Sequence, residues 1–189
     1  MNSNFTLILG SKSSRRQKIL SSAGFKFRVV SIECDESYPD ELDVKNVAKY
    51  LAEKKSKAFN GVIGEKEILL TADTIVLLND QVLGKPTDIA EAIELLSLLS
   101  GKSHEVITGV CLRSEYKTIS FQEETFVSFT QLTKEEIEFY VKKFRPIDKA
   151  GAYGIQEWIG LIGVDSINGS YYNVVGLPIH RIYNEVKKF

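Results

Sequence analysis

The sequence predicts an α/β fold with a mixed β-sheet. Strand-like runs alternate with helical patterns over roughly the first hundred residues, and two long strand-like runs then follow each other at 105–113 and 118–130. Alternation is typical of parallel strands joined by helices, whereas consecutive strands are typical of antiparallel pairs. The 189 residues contain no internal repeat or linker, so we expect a single domain over 1–189 with room for two lobes.

Local signals place the individual elements along the chain. The predicted strands cover 5–9, 27–32, 67–78, 105–113 and 118–130. The predicted helices cover about 14–23, 44–59, 88–99 and 134–143, and a last helix follows Pro178. Thr133 and Glu136 have the spacing of a capping box, and Gly101 is a stop signal for the helix from 88. Asn168-Gly169 is a two-residue turn signal, which predicts a final pair of strands around it.

Composition limits the classes of partner. The net charge is −1, so bulk electrostatic binding to nucleic acid or to an anionic membrane is not expected. No apolar run has the length of a membrane span, and the opening segment MNSNFTLILG lacks the basic start and cleavage pattern of a signal peptide.

Cysteine and histidine usage limits the redox compartment and the metal chemistry. Cys34 and Cys111 are too few for a disulfide framework, so a reducing cytoplasm is the expected location. Two histidines, His104 and His180, exclude a histidine-rich zinc site. A metal, if one takes part, would have oxygen ligands and would be a hard ion such as Mg2+.

The segment SKSSRRQK lies where the first predicted strand passes into the first predicted helix. Ser14 and Gln17 have capping-box spacing, so the helix should begin at Ser14 or at the serine before it. Backbone N–H groups at a helix start favour an anion, and Arg15 and Arg16 add charge and bidentate geometry. The segment therefore indicates an anion site, with a solvated first turn as the alternative.

Asp73 interrupts the run ILLTADTIVLL at 68–78, where eight of the other ten residues are apolar. An ionised carboxylate in a buried strand is costly unless it is paired, hydrogen-bonded or near a metal. A carboxylate in such a place is a candidate general base or metal ligand. The alternative is a strand bend that turns Asp73 toward solvent.

Lys55 and Lys85 are candidate partners for an anion. Lys55 continues the apolar stripe of the helix from 44, so its ammonium either snorkels to the edge or reaches across toward an anion. Lys85 follows the Asn79-Asp80 turn, and a hairpin there would bring it toward Asp73. An ordinary surface lysine is the alternative for Lys85.

Eight sequence blocks occur along the chain in a characteristic order. They are SKSSRRQKILSSAGFKF, DES, LAEKKSKA, TADTIV, VLGKP, LSGKSHEVITGV, DKAGAYGIQ and NGSYYNVVGLP. In order and spacing this set resembles the Maf family of nucleoside triphosphate pyrophosphatases, over nearly the whole chain. The resemblance implies an elongated mixed sheet flanked by helices, with two lobes and a central cleft, as in the related Ham1/inosine-triphosphatase group.

The resemblance also implies an activity and its requirements. The family hydrolyses a nucleoside triphosphate between the α and β phosphates, which yields the monophosphate and pyrophosphate. The reaction uses a divalent cation, with Mg2+ as the expected ion and Mn2+ or Co2+ as other candidates. Members are often homodimers, and neither nucleic acid nor a membrane is an expected partner.

Individual residues take their expected roles from the same resemblance. The catalytic proton acceptor corresponds to Asp73, and the candidate metal ligands are Glu36 and Asp73. The substrate-binding residues correspond to Ser11, Arg16, Lys55 and Lys85. The positions that set base preference correspond to Arg15, Thr74 and Gln156. Arginine, threonine and glutamine at these positions resemble the branch that hydrolyses dTTP and UTP.

The chain departs from the family pattern at two positions. Ser14 replaces the usual proline of a Ser-Pro-Arg-Arg motif, and serine can also serve in the first turn of a helix. Arg145 replaces the glutamate that often precedes DKAG, so any role of that glutamate in substrate or metal binding is open here.

Two other functions stay open at this point. One is a pyrophosphatase with a different base preference, such as 7-methylguanosine triphosphate or a modified pyrimidine nucleotide. The other is a nucleotide-binding regulator of cell division and septum formation, which would not need both Glu36 and Asp73.

Overall fold

The computed structural model describes residues 5–189. Residues 1–4 lie outside the described residues. They belong to the segment MNSNFTLILG, for which no signal peptide is expected. Across 5–189, no helix is both long enough and apolar enough to cross a lipid bilayer.

The chain divides into two compact units, and both are discontinuous in sequence. Unit 1 contains the described residues up to Asp73 together with Thr108–Glu123 and Gly176–Phe189. Unit 2 contains Thr74–Ile107 and Glu124–Val175.

Seven strands in the described part of the chain form one mixed sheet. They are β1 Thr6–Leu9, β2 Phe27–Val29, β3 Glu67–Leu78, β4 Gln81–Leu83, β5 Ser103–Arg113, β6 Thr118–Phe129 and β7 Val164–Asn168. The strand order is β2-β1-β3-β5-β6-β7, and β4 pairs with β3. β1 is parallel to β2 and to β3, whereas the β3–β4 and β6–β7 pairs are antiparallel. The predicted α/β class with a mixed sheet is confirmed.

Five of the seven helices in the described part of the chain agree closely with the predicted ones, and the two short helices over 158–163 and 171–175 were not predicted. They are α1 Ser14–Ser22, α2 Val47–Ala58, α3 Ile89–Leu99, α4 Lys134–Phe144, α5 Trp158–Gly163, α6 Tyr171–Val175 and α7 Ile179–Val186. A 3-10 turn over Val44–Asn46 precedes α2 and accounts for the predicted start at 44. The capping box at α4 is confirmed, because Thr133 and Glu136 each accept a hydrogen bond from the other's backbone N–H.

In unit 1, two contacts fix α2 against the sheet. A Cβ atom added to Gly109 on β5 would lie 2.3 Å from backbone atoms of Ala48, so glycine allows the helix backbone to touch the strand. The hydroxyl of Thr71 on β3 donates a 2.7 Å hydrogen bond to the carbonyl of Ala52. Both contacts are buried, and together they set the rotation and the height of α2 over the strands.

In unit 2, an apolar core forms between α3, α4 and the strands of that unit. Leu96 of α3, Tyr140 of α4 and Phe129 of β6 belong to it. The core also encloses His104, whose Nε2 lies 2.7 Å from the Tyr153 hydroxyl. Among the described residues, the His104 Nδ1 atom has no hydrogen-bond partner. Burial lowers the pKa of His104 to about 4, so this histidine is neutral in the folded chain near neutral pH.

The predicted strand pair around Asn168-Gly169 is wrong in its second half. β7 ends at Asn168, but the chain then forms helix α6. The Ser170 hydroxyl accepts a hydrogen bond from the Asn173 N–H, and the buried Asn173 amide donates to the Val106 carbonyl and to Thr125. These contacts stabilise a helical turn where the local sequence favours a strand.

We expect Gly109→Ala to destabilise the protein by about 3 kcal/mol, because the neighbours of the added methyl group are backbone atoms that cannot rotate away. Gly84→Ala is the matched control, since a Cβ there meets nothing within 4 Å, and we expect a change within about 0.5 kcal/mol. Denaturant unfolding of both variants measures the difference. Equal stabilities would contradict the close packing of α2 on β5.

The pKa of His104 predicts a loss of stability in acid. The unfolded chain takes up a proton near the ordinary value of 6.5, whereas the folded chain does so only near 4. The contribution of His104 to the free energy of unfolding should therefore be complete above about pH 6.5. The free energy of unfolding should fall by up to about 3 kcal/mol as the pH decreases from 6.5 to 4. His104→Gln should lack this component when unfolding curves are compared from pH 7 to pH 4. The same pH slope in both proteins would refute the assignment.

Candidate functional site

Asp73 is the last residue of unit 1 within strand β3 and lies where the sequence predicted it. The residue is only 8% exposed, so the alternative of a carboxylate turned to solvent is wrong. Side chains alternate along a strand, and Thr71 and Asp73 therefore share the face against which α2 packs. A carboxylate at this position requires a cationic partner.

Lys55 of α2 supplies that partner. Its Nζ atom lies 2.5 Å from Asp73 Oδ1 and 2.8 Å from Glu36 Oε1. The lysine side chain is 14% exposed, so its ammonium reaches across to the two carboxylates and does not snorkel to solvent. The anions that Lys55 reaches are thus the protein's own carboxylates. The hydrogen bond from Thr71 to Ala52, three residues before Lys55, fixes this part of α2 against β3.

The electrostatics of Lys55 combine two opposing effects. Burial disfavours the ammonium, but the charges and hydrogen bonds of Asp73 and Glu36 outweigh it and raise the pKa of Lys55. The lysine therefore stays protonated in the folded chain at neutral pH. The two carboxylates of Glu36 and Asp73 thus share the single ammonium of Lys55.

The segment that follows β2 is bound to α2 through two consecutive lysines. Lys54 Nζ lies 3.2 Å from Asp35 Oδ2 and donates a 2.8 Å hydrogen bond to the Ser37 carbonyl. The Ser37 hydroxyl and backbone N–H, with Lys54, lower the pKa of Asp35 to about 2. Asp35 and Ser37 flank Glu36, so these contacts present Glu36 to Lys55.

The segment between β1 and α1 differs in detail from its predicted form. Ser13 is the N-cap of α1, and its hydroxyl accepts a 3.5 Å hydrogen bond from the Arg16 N–H. The predicted capping box of Ser14 and Gln17 is wrong, since the Gln17 side chain donates to the Lys12 carbonyl instead. The helix begins where the sequence predicted, with a different serine as its cap.

Arg16 connects three parts of unit 1. Its guanidinium donates 2.8 Å hydrogen bonds to the carbonyls of Ala72 and Gly176 and a 3.3 Å bond to the Ser11 hydroxyl. Burial lowers the pKa of Arg16 from its ordinary value, while the charges of Asp73 and Glu36 act in the opposite direction. Since Ala72 precedes Asp73, the arginine is fixed beside the candidate catalytic carboxylate.

Unit 1 thus brings together five of the sequence-predicted site residues. They are Ser11, Arg16, Glu36, Lys55 and Asp73. Arg15, also in unit 1, is the second residue of α1.

Three other predicted site residues belong to unit 2. Thr74 directly follows Asp73 on β3 and is half-buried. Lys85 lies in the exposed connection after β4, and its predicted approach to Asp73 stays a prediction. Gln156 is exposed in the turn between Gly154 and Glu157.

Glu36 and Asp73 are chemically suited to a hard divalent cation. Both are carboxylates, and both contact one ammonium, so their oxygen atoms lie close to each other. Mg2+ is commonly held by one or two carboxylates together with substrate phosphates. Within residues 5–189 no group of three or more acidic, histidine or cysteine side chains is arranged to hold a metal. The carboxylates of Glu36 and Asp73 are therefore the oxygen donors that this site offers.

Unit 2 contains a buried ionic network that the sequence did not predict. The Tyr140 hydroxyl donates to Glu157, and Lys149, which is 8% exposed, lies 3.2 Å from another oxygen of that glutamate. Burial and the hydrogen bond to Glu157 raise the pKa of Tyr140, so its hydroxyl stays a donor. The signal for this network in the sequence is Lys149 of DKAGAYGIQ, a charge in a segment of mostly small and apolar residues that needs a partner once it is buried.

Comparison with known proteins gives a consistent picture. A protein of Parabacteroides distasonis named dTTP/UTP pyrophosphatase is 47% identical over 187 residues, which cover 98% of this chain and 96% of that protein. Proteins of the same name from Bacteroides thetaiotaomicron and Porphyromonas gingivalis are 48% and 44% identical, over 97% and 98% of this chain and 96% and 94% of theirs. The model of the Maf-like protein family matches residues 6–189. The chain therefore belongs to the Maf-like protein family.

Proposed function

We propose that this chain hydrolyses dTTP and UTP to the nucleoside monophosphate and pyrophosphate. The observation that carries the proposal is the buried carboxylate of Asp73, held beside the cations Lys55 and Arg16 in unit 1. The relatives named dTTP/UTP pyrophosphatase support it, since each aligns with nearly the whole chain. A nucleotide-binding regulator without hydrolytic activity needs no proton acceptor, so it would not need both Glu36 and Asp73.

The proposed reaction is attack of water on the α-phosphorus. Lys55 contacts Asp73 Oδ1 and so holds in place the carboxylate that accepts the proton of the attacking water. The new bond joins the water oxygen to the α-phosphorus, and the bond to the bridging oxygen breaks as pyrophosphate leaves with its electron pair. A positioned general base of this kind contributes about 10²- to 10⁴-fold to the rate.

The negative charge of the triphosphate is the second requirement of the reaction. In the proposal, Lys55, Arg16, Lys85 and the Ser11 hydroxyl bind phosphate oxygens and stabilise the charge that develops on the leaving group. A divalent cation, with Mg2+ as the expected ion and Mn2+ or Co2+ as substitutes, would neutralise further phosphate charge, and Glu36 and Asp73 would hold it. Arg15, Thr74 and Gln156 would select the base.

We further propose that the chain acts in the cytoplasm as a homodimer. Cys34 and Cys111 are both free thiols, which fits a reducing compartment. The homodimer rests on the resemblance to the family, whose members are often dimeric.

Pyrophosphate release with Mg2+ tests the activity and the role of Asp73 together. We expect dTTP and UTP to be cleaved faster than 7-methylguanosine triphosphate, and Asp73→Asn to lower turnover at least about 100-fold because it removes the proton acceptor. Asp80→Asn, the same change at an exposed turn residue, is the control and should keep normal turnover. Normal turnover in Asp73→Asn, or rapid cleavage of 7-methylguanosine triphosphate alone, would contradict the proposal.

A double-mutant cycle tests the pairing of Lys55 with Asp73. We expect Lys55→Met to lower the free energy of unfolding by about 1 to 3 kcal/mol, because it leaves a buried carboxylate without its cation. The same change in an Asp73→Asn background should cost less, since the neutral amide needs no counter-charge. Chemical denaturation of the four proteins measures the coupling. Additive effects would show that the two side chains do not stabilise each other.

A further inference from the structure

The position of Gln156 is fixed by a buried hydroxyl. Tyr140 is fully buried, and its hydroxyl donates a hydrogen bond to a carboxylate oxygen of Glu157. The same hydroxyl accepts a 3.0 Å hydrogen bond from the Gly154 N–H. One phenol therefore holds the chain on both sides of Gln156.

Glu157 is held from its other side by Lys149. The ammonium lies 3.2 Å from Glu157 Oε1 and 2.6 Å from Asp148 Oδ1. Because each oxygen of Glu157 has a partner, the carboxylate cannot rotate without breaking a charge-assisted contact. We call this group of three residues, Tyr140, Lys149 and Glu157, the clamp.

The turn over 154–157 brings the Gln156 amide nitrogen close to Gly154. The Glu157 N–H donates a 2.9 Å hydrogen bond to the Gly154 carbonyl, which closes the turn. A Cβ atom at Gly154 would lie 2.7 Å from Gln156 Nε2, so the glutamine side chain packs on the space that glycine leaves open. The amide nitrogen thus lies against Gly154 although Gln156 is exposed.

We propose that Tyr140 is a positioning residue which acts through Glu157 and Gly154 to fix the Gln156 amide that reads the pyrimidine base. The inference rests on the proposed function, in which Gln156 takes part in base selection. An amide carries both a donor and an acceptor, so it discriminates between bases only while its orientation is fixed. UTP and CTP differ in the hydrogen-bonding groups of one base edge, and they are the sharpest probe of that orientation.

The test is the ratio of kcat/KM for UTP to that for CTP, measured in the full-length protein. We expect Tyr140→Phe to lower this ratio about tenfold, with kcat for UTP within about threefold of normal, because only the base contact is loosened. Tyr153→Phe is the matched control: it removes the hydroxyl of another buried tyrosine, which bonds His104 and not the clamp, and it should leave the ratio unchanged. A proportional loss on both substrates, or no change in the ratio, would overturn the inference.

Two further variants keep the test decisive. Glu157→Gln removes the charge of the clamp while Lys149 keeps Asp148 as its partner, so it should reproduce the change in ratio even if Tyr140→Phe folds poorly. Gln156→Ala separates the inference from the proposed function. If Gln156→Ala changes the ratio and the clamp variants do not, the clamp is refuted; if Gln156→Ala has no effect, Gln156 does not select the base. The pyrophosphate-release assay with Asp73→Asn tests the role of Asp73 in hydrolysis independently of the results for Gln156 and the clamp.

Discussion

The ion pair between Lys55 and Asp73 is the constraint on which the arrangement in unit 1 depends. A carboxylate that is 8% exposed in an apolar strand is tolerated only beside a cation, and α2 provides it. The helix is fixed against the sheet by the close approach at Gly109 and by the hydrogen bond from Thr71. Backbone shape and one buried hydroxyl therefore decide which helical residue faces Asp73.

The charged groups of unit 1 are ordered by the protein itself. Arg16 is bound to the carbonyls of Ala72 and Gly176, and Lys55 is bound to Glu36 and Asp73. A polyphosphate that binds here exchanges contacts with side chains that are already in place, so little side-chain entropy is lost on binding. Fixed charges of this kind stabilise a transition state more effectively than charges that must first reorient.

The sequence predicted the elements whose signals are local. Asp73 was recognisable because it is a charge inside an apolar run, and Lys55 because it continues an apolar helical stripe. Helix α6 was not predictable in this way, because YYNVV after Asn168-Gly169 has strand character and the hydrogen bonds of Asn173 that favour the helix are long-range. Glu36 was assigned only through the family resemblance, since an acidic residue in a polar segment carries no signal of its own.

The sequence does not predict the clamp, because Tyr140, Lys149 and Glu157 lie in different local segments and none of them indicates its partners. The clamp also bears on the departure at Arg145. Family members often carry a glutamate at that position, close to the lysine of DKAG. In this chain Arg145 is exposed at the C-terminal end of α4, where a cation is favourable. The buried Lys149 takes its negative charges from Glu157 and Asp148 instead. A carboxylate at 145 is therefore not needed to neutralise Lys149.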